Sequence, residues 1–158
     1  MSRWSVFTVR VLVVVAFALI LLFQVLVVPS IIAQSAGMYP MFAYLQVPAI
    51  IGSVMLLACG QVVLVCVWRL VDLVAEGRIF DRRAFAWVDT VIVALWAAVG
   101  LIIVGAVVVN VTGATGPGLF YPIIIGVVFG TGAALVMGIM RRLLHQATDL
   151  RGELDEVV

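Results

Sequence analysis

Lysine does not occur in this 158-residue sequence, histidine occurs once, cysteine occurs twice, and only 11% of the residues are charged. Each shortage excludes something. A water-soluble domain carries roughly 25% charged and 45–50% apolar residues. This chain is 66% hydrophobic with a mean hydropathy of +1.33, which rules out an ordinary soluble fold. A net charge of +1 gives nucleic acid no electrostatic footing, so no direct nucleic-acid partner is expected. With His145 as the sole imidazole, a bis-histidine haem is excluded by count, and no metal site or other cofactor is expected. Cys59 and Cys66 lie in one apolar run and read as small buried hydrophobes rather than ligands. Catalytic constellations are missing too. No serine or cysteine has a histidine and a carboxylate nearby to activate it. Gly113, Gly116 and Gly118 have no basic neighbours with which to cradle phosphate. The protein is expected not to be an enzyme.

What the chain does have is long apolar runs. Crossing ~30 Å of hydrocarbon takes about 20 helical residues. Four segments meet that length, at about 7–28, 47–68, 88–110 and 122–140, with a cytoplasmic helical tail over 141–158. The expected fold is an all-α integral membrane domain. Its four transmembrane helices form two antiparallel hairpins, and helices 2 and 4 extend into the cytoplasm. The apolar core of the first segment exceeds the ~7–15 residues of a cleaved signal, so it is read as a retained span despite the cleavage-like "AQSAG" beyond it. The connections "PSIIAQSAGMYPMFAYLQ" and "VTGATGPGLFY" carry no charge, whereas the arginines cluster near both termini and the middle connection. Arginine bias marks the cytoplasmic side, so a multi-pass plasma-membrane protein with both termini inside is expected. The all-arginine basic set, with abundant Val, Ala and Gly, has the composition of a GC-rich bacterial genome. A weak parallel repeat relates "VPAIIG" to "YPIIIG", each proline suiting the first turn of its helix.

The densest charge sits in "WRLVDLVAEGRIFDRRAFAW", from Trp68 to Trp87. Arg69, Asp72 and Glu76 share one helical face, and Leu70, Leu73 and Val74 another. Gly77 is the expected C-cap of the second helix. Asp81 is the expected N-cap of the third, worth about 1 kcal/mol relative to alanine. Phe80 and Phe85 stand at the positions of a hydrophobic staple across that cap. Arg78, Arg82 and Arg83 are then candidates for contact with a partner or with lipid headgroups. After Arg142, the residues Leu143, Ala147, Leu150 and Leu154 recur at helical spacing.

Inside the spans, polar groups are few. Gln24 and Gln61 are expected to hydrogen-bond between helices. Asp89 lies about two turns into the third helix, where an ion pair with Arg83 or Arg69 is favoured over a proton relay. Gly126, Gly130, Ala134 and Gly138 form a small-residue stripe for close helix packing, within the chain or between copies of a homo-oligomer.

Around Gly77, Ile79, Phe80 and Asp81 the sequence resembles a family of small bacterial four-span membrane proteins, DUF2975, a domain of unknown function. It departs from that pattern at the cap, where Asp81 replaces a serine, and at Arg83, which replaces an asparagine. The resemblance implies the four-helix fold and a membrane location, and supplies no activity. It also implies a regulatory partnership with a small helix-turn-helix protein. Two functions compete. One is a non-enzymatic regulatory, sensory or accessory subunit acting through its cytoplasmic loop and tail. The other is a small oligomeric transporter or channel subunit.

Overall fold

The computed structural model describes residues 3–76, 82–114 and 117–156, with residues 3, 5, 82–83, 117–119 and 147–156 described as backbone path alone. Among them the regular structure is entirely helical. Helix α1 (Arg3–Leu22) runs through a π-helical turn (Phe23–Val27) into α2 (Val28–Met38), and a 3-10 segment (Pro40–Leu45) leads into α3 (Gln46–Ala75). Helices α4 (Arg82–Val111) and α5 (Pro117–Glu156) complete the order. Four stretches are long and apolar enough to cross a membrane: Val6–Met38, Pro40–Ala75, Ala84–Val111 and Phe120–Gln146. With ~1.5 Å of rise per residue, the 40 residues of α5 make a rod about twice the ~30 Å hydrocarbon thickness.

The first span departs from the sequence expectation of a helix ending at Val28 and followed by a loop. Pro29 has no N–H to continue the helical ladder. One turn before it the chain widens, and the Val28 N–H donates to the Phe23 carbonyl five residues back. That extra residue absorbs the defect, and the helix continues to Met38. Most of the expected uncharged connection is therefore helix. At the other end, Pro117 opens α5, so Pro122 lies inside that helix instead of starting it. Between them, α4 ends in a Schellman motif. Ala114 N–H donates to Val109 O, Gly113 N–H donates to Asn110 O, and Gly113 takes φ +71°. A side chain at that position would be strained.

The helices pack as an open row. The α1/α2 span packs on α3, α3 packs on α4, and α4 packs on α5; among the described residues α5 touches none of α1, α2 or α3. Burial follows this order. Among the described residues, Ala84, Val91, Ala94 and Val99, all on the interior helix α4, supply half of the buried apolar side chains; Val13, Val28, Cys66 and Ala134 supply the rest. Large apolar side chains elsewhere, such as Leu19, Val93, Phe129 and Ile139, stay exposed and face lipid.

Candidate functional site

Charged and aromatic side chains converge at one end of the row, and each pair ties neighbouring helices together. Arg10, a third of the way along α1, reaches Asp72 near the end of α3, with Nη2 to Oδ1 at 2.6 Å. Its guanidinium also lies 5.7 Å from the centre of the Trp68 ring, one helical turn before Asp72. From the next position, Arg69 crosses to α4 and lies 5.9 Å from the Trp87 ring centre. Asp89, two residues on, is held by Arg141 of α5 in a two-pronged contact, Nε to Oδ1 at 2.6 Å and Nη2 to Oδ2 at 2.9 Å. One turn further along the same two helices, the rings of Phe85 and His145 stand 5.3 Å apart. Because α4 and α5 run antiparallel, the i and i+4 positions on each helix make two successive rungs.

This arrangement has a simple electrostatic cause. Arg10, Asp72 and Asp89 interrupt otherwise apolar helices near the membrane boundary, where an uncompensated charge is costly. Each finds an opposite charge on a neighbouring helix, Arg10 with Asp72 and Asp89 with Arg141. The pairs remain partly open to solvent, with Asp72 the most covered carboxylate at 26% exposure and Asp89 at 43%.

The residues singled out from sequence fall into different places. Gly77, Phe80 and Asp81, expected for the caps and staple, and Arg78, a candidate partner or headgroup contact, lie outside the described residues, while Arg82 and Arg83 open α4. Phe85 meets His145 on α5. Asp89 pairs with Arg141 of α5, a partner the sequence reading did not name; Arg69 lies over Trp87, and the side chain of Arg83 is outside the described residues. Gln24 donates from Nε2 to the Val54 carbonyl at 3.3 Å, joining the π-turn to α3, while its Oε1 is buried without a protein partner. Gln61 keeps a buried Nε2 with no hydrogen-bond partner. Of the small-residue stripe, Gly126 and Gly130 abut Ile102 and Val99 of α4, Ala134 is buried, and Gly138 faces open space.

The Arg10–Asp72 and Phe85–His145 contacts were not anticipated from sequence. A signal for the first existed: Arg10 sits inside an apolar run with no acid on its own helix. A carboxylate at the same depth on another helix was therefore required.

Four apolar spans in an entirely helical described fold, with their charges gathered and paired at one end, define a multi-span membrane protein. Residues 30–158 match the family described as protein of unknown function DUF2975, and the chain belongs to that family. The match begins immediately after Pro29, so α1 and the π-turn lie before it. No curated protein and no solved structure matches the chain.

Proposed function

We propose that this protein is a non-enzymatic regulatory, sensory or accessory subunit of a bacterial plasma membrane, presenting its charged end to a cytoplasmic protein. The observation that carries this reading is α5. It continues without interruption from Pro117 to Glu156, past the Asp89–Arg141 pair that fastens it to α4. Beyond Gln146, where the fourth apolar span ends, about 15 Å of helix continues to Glu156. In this reading both termini and the connection between α3 and α4 lie inside, by the arginine bias. Arg78, Arg82 and Arg83, in and just after the connection between α3 and α4, then offer positive charge on the same side of the membrane, complementary to an acidic surface on the partner.

Single-cysteine variants at Ser2, Ser35 and Thr115, treated with a membrane-impermeant maleimide in intact cells, test the orientation; only Ser35 and Thr115 should label. Pull-down of cytoplasmic proteins with wild type, with Arg78/Arg82/Arg83→Ala and with a chain truncated after Arg142 tests the rest. The proposal expects one partner lost in both variants.

A second reading, an oligomeric transporter or channel subunit, draws on the unpartnered buried amide atoms of Gln24 and Gln61. The open row would need further copies to enclose a path. Capture that is indifferent to the arginines and the end of α5, together with a solute flux abolished by Asp89→Asn, would favour it.

A further inference from the structure

The first two spans leave an open groove of about 500 Å³ between them. Val14, Phe17 and Ala18 of α1 form one wall, and Val65, Trp68 and Arg69 of α3 form the other. The lining is apolar except at the end where Arg69 stands. That end is also where the indoles of Trp68 and Trp87 gather, and tryptophan favours the level of lipid headgroups.

Arg69 differs from the arginines on either side of it in the row. Arg10 holds Asp72 and Arg141 holds Asp89, so both are neutralised within the chain. The exposed guanidinium of Arg69 lies over the ring of Trp87 and has no carboxylate partner among the described residues. Among the described residues it is a positive charge with no acidic partner, at the tryptophan-bearing end of the open apolar groove that it helps to line. Arginine's planar fork matches two phosphate oxygens, and stacking on an indole leaves those N–H groups free at its edge.

We propose that this groove binds one anionic phospholipid, its acyl chain between α1 and α3 and its phosphate on Arg69. A net negative lipid fits better than a zwitterionic one, because the latter brings its own cation to compete for the same phosphate. The site is independent of any cytoplasmic partner and of which face of the membrane is inside.

The test uses the full-length chain in detergent micelles supplied with equal amounts of phosphatidylglycerol and phosphatidylcholine of identical acyl chains. Native mass spectrometry then reads which lipid stays bound. Wild type should retain one phosphatidylglycerol with roughly fivefold preference, the factor that about 1 kcal/mol per arginine near an anionic surface gives. Arg69→Gln should bring the ratio close to one, and Arg142→Gln should leave it unchanged. Ala18→Trp fills the groove from an exposed position while keeping Arg69 in place, and should also abolish the preference. Equal retention of both lipids by wild type overturns the proposal without reference to any variant. So does a preference that survives Arg69→Gln, or one that survives Ala18→Trp, since the latter would reflect surface charge with no groove. A dimer mass that replaces the lipid adduct would assign the groove to a second copy and overturn it equally.

Discussion

Replacing Gly130 by alanine tests the closest approach to any of the described glycines. A Cβ added at Gly130 would lie 2.7 Å from Val99 Cγ2, about 1 Å inside the ~3.5–4.0 Å optimum for two carbon atoms. Val99 is only 3% exposed, and a valine in a helix has essentially one χ1 rotamer, so it cannot swing aside. The backbones must part, and overpacking of this kind costs about 1–3 kcal/mol. Loss of contact matters here because helix association in lipid relies on van der Waals packing. Gly138 provides the reference: it lies on the same helix and has nothing within 4 Å of its added Cβ. The helix-propensity gain of glycine to alanine, about 1 kcal/mol, is common to both and cancels in the comparison. Gly130→Ala should therefore be less stable than Gly138→Ala by about 1–3 kcal/mol. Gly126→Ala should fall between them, since it meets the movable Cδ1 end of Ile102 at 2.9 Å. Unfolding in mixed micelles of rising dodecyl sulfate fraction, followed by tryptophan fluorescence, measures these differences. In a Val99→Ala background the penalty at Gly130 should vanish. Equal stability of the two alanine variants, or a Gly130 penalty unchanged in that background, would refute the packing argument.

The two ion pairs should differ in weight. Asp72→Asn leaves Arg10, whose Nε is buried, without its carboxylate and should cost about 1–2 kcal/mol, between the exposed and buried limits. Asp89→Asn should cost less than about 1 kcal/mol and be blunted by salt, because both partners of its pair are more than 40% exposed; the same micelle titration at low and high salt reads both. For the intramembrane amides, Gln24→Leu forfeits the bond to Val54 O, worth about 0.6 kcal/mol. Gln61→Leu removes a buried donor that has no partner and should be neutral or stabilising by up to about 1 kcal/mol, measured the same way.

The four spans were legible because lipid imposes a length and a composition that any sequence must display. The ends of the elements were less so. Pro29 looks like a terminator when local rules are applied alone, but a single widened turn lets the helix pass it, and no residue pattern announces that turn. The role of Asp89 as an ion-pair member was within reach, because an acid at that depth needs a cation. Its partner was not, since choosing among Arg69, Arg83 and Arg141 requires knowing which helices are neighbours and how they rotate. Arg69 lies over Trp87 instead, and Arg141 comes from a helix more than fifty residues away in sequence. The small-residue stripe announced a close contact, and only the packing of α4 against α5 shows that Gly126 and Gly130 are its core while Gly138 is not.

The row in which each helix touches only its neighbours along the chain bears on how the protein is made. Each span meets its next partner as soon as the following one leaves the insertion machinery, and no described contact has to wait for the last helix to return to the first. Assembly can thus proceed in strict order of synthesis, with little entropy lost to long loop closure. The same order makes α1 removable in principle: outside its own span, detaching it severs described contacts with α3 alone and leaves the α3–α4–α5 interfaces untouched.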